Sequence, residues 1–103
     1  MEARTFTHRE EDILERVVEI IKRYLDPGKI ILFGSRGKGT PYRNSDFDFA
    51  IDREKPEKRI ERTISEEIDQ IAGLYHVDIV YLPSADEDFR SLILQTGKVI
   101  YEK

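Results

Sequence analysis

The chain has 103 residues, 39% of them hydrophobic and 37% charged, which is typical of one globular domain and excludes an intrinsically disordered chain. The absence of cysteine excludes disulfide bonds and thiolate metal sites. A formal net charge of −4 argues against bulk binding to nucleic acid, which requires clustered cations. No apolar run approaches the roughly 18 residues of a membrane span. Because Met1–Thr5 also lacks the apolar region of a signal peptide, we expect a cytoplasmic protein with no membrane contact.

The first predicted element is an amphipathic helix of about five turns. Thr7-His8-Arg9-Glu10 matches a capping box, which predicts Thr7 as the N-cap. The sequence Asp26-Pro27-Gly28 ends the pattern. Apolar residues recur between these limits at three- and four-residue spacing: Ile13, Leu14, Val17, Val18, Ile21, Tyr24 and Leu25.

Two strands separated by a loop follow this helix. The apolar run Ile30–Phe33 predicts a buried strand that ends at Gly34-Ser35, where a glycine permits a tight turn and the close approach of a ligand. The second strand alternates with a period of two, so its two faces differ in chemistry. One face carries Phe47, Phe49 and Ile51, and the other carries Asp46, Asp48, Ala50 and Asp52.

Asp46 and Asp48 are therefore predicted to point the same way. Two adjacent carboxylates repel each other unless a cation neutralises them, and Mg²⁺ is commonly held by one or two carboxylates together with substrate phosphates. The backbone N–H groups and the hydroxyl of Gly34-Ser35 are suited to phosphate oxygens. An Asp-x-Asp pattern alone is most often a solvated strand face. Its combination with Gly-Ser at the end of the preceding strand is much more specific.

A second long helix and a third strand follow. Pro56 is predicted in the first turn of this helix, Gly73 is its predicted C-cap, and the apolar stripe between them consists of Ile60, Ile64, Ile68 and Ile71. The run Tyr75–Leu82 then alternates like a strand with Asp78 in its middle. Asp78 either faces water or pairs with a basic neighbour, or it lies beside the Asp46–Asp48 strand as a third carboxylate, which is the reading we favour. His76 shares its face and is expected to be structural or to line the rim of the site.

The end of the chain predicts a short helix and one more extended segment. Ser84-Ala85-Asp86-Glu87 repeats the S-x-x-E capping pattern. The helix it opens should bury Phe89, Leu92 and Ile93 and end at Gly97. Lys98–Tyr101 is then either a brief strand or an extended tail.

Gly34-Ser35, ten residues, and then Asp46-Phe47-Asp48 resemble the signature of the DNA polymerase β-like nucleotidyltransferases. The resemblance runs roughly from Ile13 to Tyr101. The short chain is similar to the minimal nucleotidyltransferase (MNT) group, often encoded beside a HEPN-domain protein as a toxin–antitoxin pair. It implies an α/β (α+β) fold, with helices packed on a small mixed β-sheet in one domain over residues 1–103.

The resemblance also implies the chemistry: AMP moves from ATP to a hydroxyl, here a tyrosine of a HEPN toxin that is thereby silenced. Asp46, Asp48 and Asp78 are the implied catalytic residues and the ligands of two Mg²⁺ ions. The implied nucleotide-binding residues surround the loop between the first two strands: Gly34, Ser35, Arg36, Lys38, Arg43 and Ser45.

Two other functions stay open at the level of sequence. The chain is an antitoxin that masks its partner without catalysis, or it is a small-molecule transferase of the antibiotic-modifying type. The converging carboxylates argue against a pure binder, and the lack of an acceptor-binding domain argues against the small-molecule enzyme. The acceptor, the preferred base and any homo- or hetero-oligomer are left undecided.

Overall fold

The computed structural model describes residues 8–34 and 46–103, which form three α-helices and four β-strands. The helices are α1 (His8–Leu25), α2 (Lys58–Ala72) and α3 (Glu87–Thr96). The strands are β1 (Lys29–Phe33), β2 (Phe47–Ile51), β3 (Val77–Tyr81) and β4 (Lys98–Glu102). Within the described residues, no helix is both long enough and apolar enough to cross a membrane.

The four strands form one mixed sheet in the order β3-β2-β1-β4. Strand β1 pairs antiparallel with both β2 and β4, whereas β2 and β3 are parallel. A parallel pair needs a long crossover between its strands, and α2 supplies it. The predicted mixed sheet, with the Asp78 strand beside the Asp46–Asp48 strand, is thus confirmed, and the last segment is a strand rather than a tail.

Helices α1 and α2 pack on one face of the sheet, which we call the closed face. The alternation of β2 directs Phe47, Phe49 and Ile51 to this face, and all three side chains are fully buried. The predicted stripes of both helices meet them there, with Ile13, Val17 and Ile21 from α1 and Ile64 and Ile68 from α2 in one cluster. The closed face therefore holds most of the core.

The opposite face, the open face, carries a smaller cluster of Ile31, Ala50, Leu82 and Ile93 under α3. Gly97 ends α3 as predicted. A Cβ at Gly97 would lie 2.4 Å from a methyl carbon of Ile31, so a glycine is needed where the chain turns from helix to strand. Helix α3 covers only part of this face.

Three local predictions need correction. Helix α2 begins at Lys58 with Glu57 as its N-cap, so Pro56 precedes the helix. Ser84 does not cap α3, because it belongs to a 3₁₀ turn, Leu82–Ser84, and Asp86 is the N-cap that accepts a hydrogen bond from the Phe89 N–H.

The third correction concerns burial on α3. Phe89 and Leu92 were expected inside, yet they are 39% and 54% exposed, and only Ile93 is buried. A single helix laid on a partly covered sheet buries one narrow stripe, so neighbours on its flanks stay at the surface. The predicted N-cap of α1, Thr7, lies outside the described residues.

Candidate active site

Asp46, Asp48 and Asp78 come together at one end of the open face. Asp78 lies directly opposite Asp48 in the parallel register of β2 and β3. Asp46 precedes β2, and the next residue, Phe47, donates its N–H to the His76 carbonyl at 2.9 Å. The pairing of the two strands therefore continues to the level of Asp46. The third carboxylate lies where the sequence interpretation placed it.

His76 belongs to the same cluster. Its Nε2 atom lies 3.0 Å from Oδ1 of Asp78, and one ligand atom from each of Asp46, His76 and Asp78 lies within 4.8 Å of the other two. All three residues are exposed. The imidazole contacts the Asp78 carboxylate and adds a nitrogen to the oxygen donors. The sequence predicted the shared face of His76 and Asp78 but not this contact.

Asp48 differs from the two exposed carboxylates because it is half-buried. Burial raises the pKa of the Asp48 carboxyl above its ordinary value, and the negative charges of Asp78 and Asp46 raise it further, while His76 acts in the opposite direction. Without a cation, the protein therefore holds an unfavourable concentration of negative charge at this point. Such a group is a frequent marker of a functional site.

Gly34 closes the site from the end of β1. Its φ of +74° lies in the left-handed region, and a Cβ at this position would be 2.5 Å from Oδ2 of Asp48. Side chains are therefore excluded here both by the backbone conformation and by the carboxylate. This packing leaves the Gly34 backbone close to the acidic cluster, as the sequence interpretation required of a residue that approaches a ligand.

The donor set fits a hard divalent cation. Carboxylate oxygens are the preferred ligands of Mg²⁺, which usually retains several waters and takes its remaining ligands from substrate phosphates. Exposed Asp46 and Asp78 leave room for those additional ligands, and half-buried Asp48 is the group that most needs a compensating charge. The three aspartates thus fit the Mg²⁺ ions that the sequence pattern implied.

The other predicted nucleotide-binding residues lie outside the described residues: Ser35, Arg36, Lys38, Arg43 and Ser45. Sequence reasoning missed Phe33, which pairs with Asp48 in the register of β1 and β2 and so borders the cluster. Its ring makes an edge-to-face contact with Phe89, the centroids being 5.9 Å apart. A signal was available, because Phe33 is the last apolar residue before Gly34.

Comparison with known proteins agrees with this geometry. Residues 15–103 match the family model described as Polymerase beta, Nucleotidyltransferase. The chain belongs to this nucleotidyltransferase family. It is also 35% identical, over 89 residues, to a Haemophilus influenzae protein named probable protein adenylyltransferase MntA, an alignment that covers 84% of this chain and 78% of that protein.

Solved structures show the same fold at lower identity. A toxin–antitoxin structure with AMP-PNP has a TM-score of 0.72 at 24% identity and covers 86% of this chain and 73% of its own. A complex of the tri-AMPylated Shewanella oneidensis HEPN toxin with its MNT antitoxin has a TM-score of 0.68 at 18% identity, covering 92% of this chain and 73% of its own. These similarities place the sheet and its helices in the minimal nucleotidyltransferase fold.

Proposed function

We propose that this chain is a metal-dependent protein adenylyltransferase that moves AMP from ATP to a tyrosine hydroxyl of a HEPN toxin and so acts as its antitoxin. The observation that carries the proposal is the convergence of Asp46, Asp48 and Asp78 beside Gly34 in a member of the nucleotidyltransferase family. The choice of a protein acceptor is supported by a curated relative named as a protein adenylyltransferase. It is also supported by a structural neighbour whose HEPN toxin is AMPylated.

Different residues of the chain have different roles in nucleotidyl transfer. Asp46, Asp48 and Asp78 would hold two Mg²⁺ ions, which neutralise the triphosphate and lower the pKa of the acceptor hydroxyl when bound. The Gly34 backbone lets the triphosphate approach Asp48 without a steric clash. Ser35, Arg36, Lys38, Arg43 and Ser45 complete the nucleotide site in this proposal.

In this proposal Asp78 serves the acceptor, and its exposed carboxylate takes the proton from the attacking hydroxyl. The hydroxyl oxygen forms a bond to the α-phosphorus of ATP, and the bond from that phosphorus to the bridging oxygen of the β-phosphate breaks. Pyrophosphate leaves in line with the attack. His76 holds the Asp78 carboxylate in place through its 3.0 Å contact.

The test distinguishes an antitoxin that transfers AMP to its partner from one that only binds it. Wild type, the double variant Asp46→Asn/Asp48→Asn and a control, Asp52→Asn, are each mixed with labelled ATP, Mg²⁺ and a candidate HEPN partner protein. Asp52 follows β2 on the same face at the end remote from the cluster, which makes it a matched carboxylate. We expect label on a partner tyrosine with wild type and Asp52→Asn, and none with the double variant, which should still bind the partner.

Protection of cells from the toxin decides between the two modes of action. If the double variant protects as well as wild type, the chain works by masking its partner, and the transferase proposal is wrong. If wild type labels a small molecule and leaves the HEPN protein unlabelled, the acceptor is not a protein.

A further inference from the structure

The site is bordered on one side by apolar side chains, one partly buried and two exposed, that the transfer chemistry does not use. Phe33 lies across from Asp48 on the open face, Phe89 of α3 packs edge-to-face against it, and Leu92 is 54% exposed. We call these three residues the apolar patch. Resting on the proposed function, we propose that the apolar patch docks the segment of the acceptor protein that carries the modified tyrosine.

The apolar patch lies beside the acidic cluster. Leu92 is three residues after Phe89, so the two side chains lie on one flank of α3. Because Phe89 contacts Phe33, which lies opposite Asp48, this flank faces the acidic cluster. Leu94 points about 200° away around the helix axis from Leu92 and lines a surface pocket with Lys29 and Asp52. Those two residues lie at the remote end of β1 and β2. The apolar patch is thus continuous with the catalytic site, whereas Leu94 is not.

The side chains of the apolar patch suit a protein acceptor. A protein acceptor must hold its hydroxyl beside Asp78 without being covalently part of this chain, and apolar and aromatic side chains at the centre of a contact are what usually anchor such partners. Phe33 and Phe89 present aromatic edges and faces suited to a tyrosine and its apolar neighbours. The patch lies where that tyrosine has to arrive.

The charges around the apolar patch select the kind of partner. Asp88 lies one helical turn before Leu92, and Glu87 precedes it in the first turn of α3. Exposed Asp46 and Asp78 lie on the other side of the patch. An apolar surface with an acidic border fits an acceptor segment that has basic residues around its apolar centre, since opposite charges steer and orient the encounter.

The test uses matched leucines. Leu92→Gln and Leu94→Gln make the same change at equal exposure, 54% in both cases, and both should fold because glutamine is well accepted in helices. We expect Leu92→Gln to raise the Kd and the KM for the HEPN protein about tenfold or more, with ATP affinity unchanged. Leu94→Gln should behave as wild type. Asp88→Asn, a milder variant, should weaken the association at low salt and lose that effect at high salt.

Three other outcomes of this experiment would overturn the proposal. If Leu92→Gln and Leu94→Gln bind the partner equally well, the patch is not the docking surface. A loss of ATP affinity in Leu92→Gln would mean that the patch holds the adenine base, and a change in its sedimentation would mean that the patch joins two copies of the chain.

The readouts separate this inference from the function on which it rests. Wild type that binds the HEPN protein through Leu92 without transferring AMP refutes the transferase and leaves the docking surface in place. Wild type that transfers AMP with no dependence on Leu92 refutes only the docking surface.

Discussion

The two faces of the sheet are built from the same strands and do different work. On the closed face, β2 contributes Phe47 and Phe49, whose stacked rings lie 6.3 Å apart under α1 and α2. On the open face, the same strand contributes Asp48 beside Asp78, with the half-buried carboxylate at a raised pKa. Alternate residues of one strand thus carry the stability and the proposed chemistry.

This arrangement explains how a small chain can contain a destabilising site. Repulsion among the aspartates of the cluster destabilises the folded state. The apolar packing of the neighbouring residues of β2 on the closed face offsets this destabilisation. The comparison predicts that substitutions on the two faces have opposite consequences: those on the closed face should unfold the protein, and those on the open face should remove function and leave the fold intact.

The largest effect should come from the closed face. Phe49→Ala removes a fully buried ring and should lower the free energy of unfolding by about 3–5 kcal/mol, a large share of the roughly 5–15 kcal/mol of an ordinary domain. Denaturant titration measures the change. A loss below about 1 kcal/mol would show that the closed face is not the main source of stability.

Gly34→Ala tests the junction between fold and site. The variant places a methyl group at φ +74° and against Oδ2 of Asp48, so we expect a cost of about 1–3 kcal/mol together with weaker ATP binding. Gly28→Ala is the control, because its Cβ would meet its nearest atom, Oδ2 of Asp52, at 3.4 Å. Thermal melts and calorimetry with ATP give the two readouts. Equal behaviour of both variants would contradict the close approach of Gly34 to the site.

Metal dependence should follow from the same charges. Without a divalent cation, the ATP phosphates meet Asp46, Asp48 and Asp78 unscreened, so affinity in EDTA should be roughly tenfold or more below that in Mg²⁺. Isothermal titration calorimetry measures both values. The Asp46→Asn/Asp48→Asn variant should show a smaller difference, and equal affinities for wild type in the two buffers would remove the metal from the mechanism.

The smallest effect concerns stability on the open face. Because the pKa of Asp48 is raised on folding, ionisation of this carboxyl favours the unfolded chain. Its unfavourable contribution grows as the pH rises from the ordinary pKa of an aspartate through the folded-state pKa. Asp48→Asn should therefore melt at a slightly higher temperature than wild type in EDTA at neutral pH. The difference should vanish below the ordinary pKa of an aspartate.

Melts of wild type and Asp48→Asn across this pH range provide the check. A clear loss of stability in the variant would mean that Asp48 is a structural partner in the fold. The catalytic assignment would then need revision.

Local sequence patterns determined much of the architecture. The period of two in Asp46–Asp52 predicted both faces of β2, the isoleucine stripe predicted α2, and Gly73 and Gly97 predicted helix ends that the structure confirms. These features depend on backbone geometry and on solvent exclusion within one element, so neighbouring residues contain the information. The spacing of Gly34 and Asp46-Phe47-Asp48 likewise indicated the family.

Only the tertiary structure decided how these elements meet. The parallel register that sets Asp78 opposite Asp48 depends on how α2 carries the chain across the sheet, and the exposure of Phe89 and Leu92 depends on how little of the open face α3 covers. The N-cap of α3 is likewise Asp86 and not the expected Ser84, because Ser84 belongs to the preceding 3₁₀ turn. Contacts between residues distant in sequence are selected by the packing of the whole chain, so local periodicity predicts the surfaces but not their partners.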